Sequence, residues 1–355
     1  MPAPVLYTPD IEQPQPDEAA TIAQLNEQFD IVLDTTAEDY GHAVRAVHAK
    51  AHAILEGTLT IDADLPPELA QGLFATPGEH RVLMRFSTNP GDILDDAISL
   101  PRGLAIKVFD VDGERLPGAE GRAQDFIMVN ATAFQAKTAD AFLGNLKLLA
   151  RTTGKAEGAK KALSAVLRGV SSALGAVGIE SATINTLGGA PNVDPVGETY
   201  YSATPFRYGD HIAKFSLAPI APGLTERTGA IIDTAGDRDA IRHTVRDELR
   251  SIPGEWEFRV QLARDLARQP VEDATVEWDE AEAPFLRVAT IRTAAQDSWD
   301  EARVAQVNDH LRFSIWTGLA AHQPLGNINR ARRDTYRHSA DYRQRVNRCP
   351  IHEPG

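Results

Sequence analysis

The chain has 355 residues, of which 43% are hydrophobic and 24% charged, a composition expected of a soluble globular protein long enough for one large domain or two modest ones. Acidic residues outnumber basic ones by 50 to 36, and the resulting net charge of −14 argues against general affinity for nucleic acid or anionic membranes. Cys349 is the only cysteine, which excludes an internal disulfide and any cysteine-based metal site.

The opening MPAPVLYTPDIEQPQPDEAA has neither the basic segment nor the apolar stretch of a secretory signal, and no apolar run is long enough to span a bilayer, so the expectation is a cytoplasmic protein. Residues 1 to about 28 are rich in Pro, Asp, Glu and Gln and read as an extended arm, followed by a short amphipathic segment. From about 45 to 131 the texture is strand and turn: HAILEGTLTI alternates apolar and polar residues, and VLMRFST, GLAIKVFDV and DFIMVN are short β-rich runs bounded by turns such as NPGD and DVDGE. Helical spacing and many alanines mark about 136 to 190. Strand texture returns with AKFSLAP, WEFRVQLA, ATVEW and LRVATIRT, ending near 293, and the remainder is helical and Arg-rich.

These runs make about eight strands in two blocks of four, and eight antiparallel strands can close into a barrel that leaves no exposed edge. The expected class is α+β: an eight-stranded antiparallel β-barrel with a helical insert and C-terminal helices. The expected organisation is an arm over 1–28, a barrel domain over 29–295 with its insert at about 136–190, and a helical segment over 296–355.

No Walker loop, dinucleotide fingerprint or G-x-S-x-G elbow is present. His48 and His52 are four residues apart in a strand-like stretch with no HExxH, so a zinc pair is not expected there. The strongest signal is PLGNINRARRDTYRHSADYRQR. Arg332 and Tyr336 are four residues apart, one helical turn on one face, and Arg343 returns to that face seven residues later. A phenol has a pKa near ~10 and ligates poorly when neutral, but ferric iron in front of it and a guanidinium behind it both favour the phenolate. Alone, an R-x-x-x-Y pair equally describes a solvated helix with an arginine stacked on a tyrosine.

The motif gains meaning from the other end of the chain. RAVHAK places Arg45, Val47 and His48 together in the expected first strand, RFST supplies Arg85, Phe86, Ser87 and Thr88 to the second, and LPRGLAIKVFD opens the third with Arg102. On a strand, Arg45 and Val47 face one way and His48 the other unless a bulge intervenes. A histidine beside a serine in an apolar pocket suits proton transfer, and arginines inside strand runs call for an anionic partner.

In order and rough spacing, VHAK, RFST with PRG-x-A-x-K, FIMVNATAF, VEDATVEWDEAEAPFLRVATI and RARRDTY resemble five segments of catalases, over about 40 to 345. The likeness is to the small, catalase-related haem peroxidases, because the long N-terminal threading arm and the extended C-terminal part of the large enzymes are missing. The resemblance implies haem b as cofactor, with Tyr336 as proximal iron ligand and Arg332 as its charge partner. It gives His48 the distal acid–base role, Ser87 the hydrogen bond that orients it, and Val47 the hydrophobic gate above the iron. Arg45, Arg85 and Arg343 match positions that pair with haem propionates. Phe134 and, more weakly, Ile127 match apolar positions near the distal face. One departure stands out: the distal asparagine of catalases has no counterpart, and Arg122 or Gln124 falls nearest to its place.

The implied activity is a peroxidase acting on hydrogen peroxide or organic hydroperoxides with a small-molecule reductant, with no nucleic-acid partner and no membrane span; a homodimer is compatible with the likeness. A true catalase and a hydroperoxide isomerase or dehydratase remain as alternatives on the same scaffold. A barrel that binds haem without catalysis fits less well, since it needs neither His48 nor the Arg332–Tyr336 pair.

Overall fold

A computed structural model of the chain describes residues 2–150 and 190–352. Nine strands share one sheet: β1 (Ala51–Ile61), β2 (Glu79–Thr88), β3 (Arg102–Val108), β4 (Gln124–Val129), β5 (Tyr200–Tyr201), β6 (Phe206–Tyr208), β7 (His211–Pro219), β8 (Gly254–Leu262) and β9 (Phe285–Thr293). Neighbours pair antiparallel, and β5 pairs with both β4 and β7, so β1–β5 and β7–β9 close an eight-stranded ring. The short β6 adds to β7 through a tight hairpin, where Gly209 adopts φ 61°, a conformation that costs glycine least.

Alternation fills the barrel. Leu55, Met84, Phe86, Ile106, Phe126, Phe215 and Phe258 belong to one buried core, and the residues between them turn outward. The interior is packed with side chains and leaves the ligand space to the outside of the barrel.

The first four strands follow the sequence reading, whereas the second block needs a correction. ATVEW, expected as a strand, forms a turn and an irregular segment: Asp273 accepts from the Thr275 N–H at 3.1 Å, and Ala274 bonds to Phe134 and Lys137 on a neighbouring loop. Its place in the ring is taken by Tyr200–Tyr201, whose two residues are too few to show a period.

Three helices frame the ligand space: α1 (Glu18–Tyr40), α2 (Ala139–Ala150) and α3 (Asn327–Asn347). Helix α1 begins inside the stretch expected as an extended arm, and Leu25 and Phe29 are buried on its inner face. Of the expected helical insert, 139–150 is helical; 151–189 lies outside the described residues. Arg330 of α3 ties the amino-terminal segment down by bonding Glu12 at 3.0 Å, Glu18 at 2.7 Å and Glu272 at 2.9 Å. These carboxylates hold its pKa above the ordinary value despite burial. Asp30–His338 at 2.6 Å and Asp34–Tyr342 at 2.5 Å then fasten α1 along α3.

Candidate active site

Between the outer face of β2–β4 and helix α3 lie two adjoining cavities of about 680 and 720 Å³, each within the usual range for small-molecule sites, which together form one slot. Val47, His48, Ile127, Thr335 and Tyr336 line both.

His48 reaches the slot by an unexpected route. Its segment precedes β1 instead of lying in it, Val47 makes an isolated bridge to Pro90, and His48 itself has φ 53°. That left-handed conformation, uncommon outside glycine, re-aims the side chain where plain strand alternation would have set its direction. Its backbone N–H donates to Asn89 O at 2.6 Å, and Arg85 Nη1 donates to its carbonyl at 2.9 Å.

Ser87, buried on β2, lies 3.1 Å from His48 Nδ1. The Ser87 hydroxyl donates to Gly103 O at 3.3 Å, so it can accept only from Nδ1–H. That assigns the proton to Nδ1 and leaves the Nε2 lone pair free. Burial, reinforced by Arg85 and Arg332, pushes the imidazole pKa down to about 3, so the ring is a neutral base across the physiological range. His52 does not converge with it: it bonds Thr88 at 2.5 Å inside the sheet.

Gly103 on β3 lies directly against the His48 ring, and a methyl at its Cβ position would press into Cε1 and Nδ1. Gly103→Ala is therefore expected to displace the imidazole and to cost about 1–3 kcal/mol in denaturant unfolding. Wild-type stability in that variant would show that the contact is loose.

Opposite His48, α3 turns Ala331, Thr335, Tyr336, Ser339 and Arg343 toward the slot, as helical spacing predicts. Arg332 donates to the Tyr336 hydroxyl from Nη2 at 2.8 Å and from Nε at 3.1 Å. The two charge-assisted bonds fix the position of the phenol oxygen. Arg332 is in turn fixed by Asn329 Oδ1 at 3.2 Å, and buried Asn329 also accepts from Thr204 and donates to Pro205 O and Leu325 O. The two walls are tied together where Ala46 N donates to Ser339 Oγ at 3.1 Å and Ala43 N to Asn347 Oδ1 at 2.7 Å.

Arg45, Arg85 and Arg343 converge on Asn308, in the helical turn Gln306–His310. Arg45 Nη1 and Arg343 Nη1 both donate to its carbonyl, at 2.9 and 2.6 Å, while Arg85 Nε reaches its Oδ1 at 3.1 Å. Among the described residues none of the three pairs with a carboxylate within salt-bridge distance, and Arg343 Nε has no partner. Burial and their mutual repulsion push Arg85 down to about 9 and lower Arg45 well below the usual arginine range; burial alone takes Arg343 down to about 10. Buried cations crowded in this way call for an anion. A flat apolar cofactor bearing carboxylates would fit this lining: the arginine triad could take the carboxylates, Val47, Phe29 and Ile127 the apolar body, and Tyr336 a metal.

Phe134 lines the second cavity and stacks on Phe142 of α2 at 5.6 Å between centroids. The two candidates for a missing distal amide do not reach the slot. Arg122 is exposed and pairs with Asp112 at 2.8 Å; Gln124 is buried at the far end of β4, accepting from Leu319 N at 2.8 Å. The amide side chains lining the second cavity are Asn89 and Gln135. Asn89, Asn308, Asn329 and Gly103 were not singled out by sequence reasoning; Asn308 has its arginine partners far along the chain, whereas Asn89 beside RFST, Gly103 within PRG-x-A-x-K and Asn329 three residues before Arg332 each carried a positional signal.

No protein-family model and no curated protein matches the sequence. Among solved structures, catalase A from Saccharomyces cerevisiae superposes with a TM-score of 0.60 at 16% identity, covering 90% of this chain and 66% of its own. A fungal catalase gives 0.61 at 18% identity, covering 90% of this chain and 63% of its own. The chain thus spans just under two thirds of the length of these catalases. Over nine-tenths of its residues, and in the closed eight-stranded ring flanked by helices, this chain has the catalase-type fold.

Proposed function

We propose that the chain is a haem b peroxidase that reduces hydrogen peroxide or an organic hydroperoxide at the expense of a small-molecule reductant. The observation that carries this reading is the opposition of a doubly hydrogen-bonded phenol, Tyr336, and a neutral imidazole, His48, across one slot edged by three arginines that, among the described residues, have no carboxylate within salt-bridge distance. Tyr336 would hold the iron, and Arg45, Arg85 and Arg343 the propionates. Haem b, when bound, supplies the redox chemistry that cleaves the peroxide O–O bond.

The chain's own residues manage the proton. His48 Nε2 would take the proton from one peroxide oxygen and return it to the departing one, so that the leaving group departs neutral. Ser87 keeps the imidazole in the tautomer that permits this. Arg332, donating twice to the Tyr336 oxygen, would hold that oxygen in place as the iron ligand. Val47, Ile127 and Phe134 keep bulk water from the reacting oxygens.

Disproportionation of peroxide is the second reading. Against it, neither Arg122 nor Gln124 offers an amide at the distal face; Asn89 on the cavity wall is the one feature in its favour. Titrating the purified chain with hemin should give a one-to-one complex with a sharp Soret band. Peroxide consumption by that complex should depend on a reductant and release little dioxygen. Rapid reductant-free oxygen evolution would select disproportionation, and no hemin binding at all would reject both.

A further inference from the structure

On the side of Tyr336 away from His48, a third cavity of about 500 Å³ opens between the β3–β4 loop, residues 312–317 and helix α3. Arg312 and Tyr336 line both this cavity and the first half of the slot, while His48 lines only the slot. The chain as a whole carries −14, yet Arg312, Arg333 and Arg337 converge here beside Ser314, Trp316 and Thr317. Asp334, 2.8 Å from Arg337, offsets part of that charge.

Two of these groups are held in place. Arg333 donates to Pro117 O at 3.2 Å and stacks over Trp316, 5.1 Å from the ring centroid. Trp316 Nε1 donates to Asn329 O at 2.7 Å, the residue whose side chain also holds Arg332 behind Tyr336. The loop carrying Trp316 is anchored to the barrel, because Ser314 N donates to Asp125 Oδ2 at 2.9 Å and Asp125 pairs with buried Lys107 at 2.7 Å. An indole, a phenol and three guanidiniums thus enclose a space large enough for one substituted aromatic ring.

We propose that this cavity binds the reducing co-substrate, and that the co-substrate is a phenol bearing a carboxylate. The assignment rests on the peroxidase reading and extends it. The guanidiniums recognise the carboxylate by charge-assisted hydrogen bonds, Trp316 and Tyr336 supply aromatic surface, and the local positive field draws an anion toward an otherwise acidic protein. The donor then sits beside Tyr336, which lines both this cavity and the slot, so peroxide and reductant occupy different cavities and do not compete. Each phenol loses one electron and one proton. Two of them reduce one hydroperoxide, whose O–O bond breaks to leave an alcohol and water: ROOH + 2 ArOH → ROH + H2O + 2 ArO•.

The test is calorimetric titration of the haem-loaded full chain with 4-hydroxybenzoate and with its neutral isostere 4-hydroxybenzamide, without peroxide. The benzoate should bind at least about tenfold more tightly, and the double variant Arg333→Gln, Arg337→Gln, altered only at exposed side chains, should erase that preference. In turnover the same variant should shrink the KM difference between 4-hydroxybenzoate and 4-hydroxybenzamide by about tenfold. Equal affinities for the two ligands, or a preference that survives in the variant, would overturn the assignment. Failure of the peroxidase reading shows separately, as a haem-loaded chain that consumes no peroxide with any donor.

Discussion

Replacing Tyr336 with phenylalanine is expected to abolish stable haem binding, with the dissociation constant for hemin rising by about a hundredfold or more and the Soret band of whatever remains bound shifting. The size follows from what is removed. Loss of an outer-shell partner of a metal ligand typically costs about 10–100-fold in affinity, and here the ligand itself disappears. The substitution is conservative for the fold, because the Tyr336 hydroxyl only accepts bonds, both from half-buried Arg332, which keeps Asn329 as a partner. A melting curve should therefore stay close to wild type while hemin titration fails. An unchanged Soret region in Tyr336→Phe would mean that another residue holds the iron.

His48→Ala should act in the opposite way, keeping the haem spectrum and losing the reaction. Removing a positioned acid–base group costs about 10²–10⁴-fold, so kcat/KM for peroxide should drop by at least two orders of magnitude while hemin affinity changes little. The pH profile provides a second readout. An ordinary histidine at about 6.5 is about 97% protonated at pH 5 and useless as a base. With its pKa pushed down to about 3 by burial and by Arg85 and Arg332, the His48 ring stays neutral there, so wild-type activity should hold at pH 5 and fall only on further acidification. The stability term has the same sign. Because the folded state binds this proton less readily than the unfolded chain, the contribution of His48 is complete above the unfolded pKa and is lost progressively as pH falls toward the folded value. A rate that halves near pH 6.5 would show an ordinary imidazole, and His48→Ala with activity within threefold of wild type would remove His48 from the reaction.

Much of this architecture was legible in the sequence because its signals are local. The i, i+4, i+11 run of Arg332, Tyr336 and Arg343 needs only helical periodicity to reach one face, and all three residues border the slot as that spacing requires. The alternation in β1 to β4 decided which side chains fill the barrel, so Arg85 and Ser87 had to face outward once Met84 and Phe86 faced in. A local signal also misled: the β-branched residues of ATVEW favour a strand, but the edge it would have joined is closed by Tyr200–Tyr201, a choice made by pairing across the ring.

Periodicity and residue type thus determined, from the sequence alone, the α+β barrel and the Arg-backed phenol on its helix, while the pairing of His48 with Ser87 was implied only by the catalase resemblance. The tertiary structure alone decided that the ligand space lies outside the barrel, that His48 enters it through a left-handed turn against Gly103, and that three arginines meet at Asn308. Each of those outcomes depends on contacts between segments tens to hundreds of residues apart, and no short window of the chain encodes the position of its distant partner.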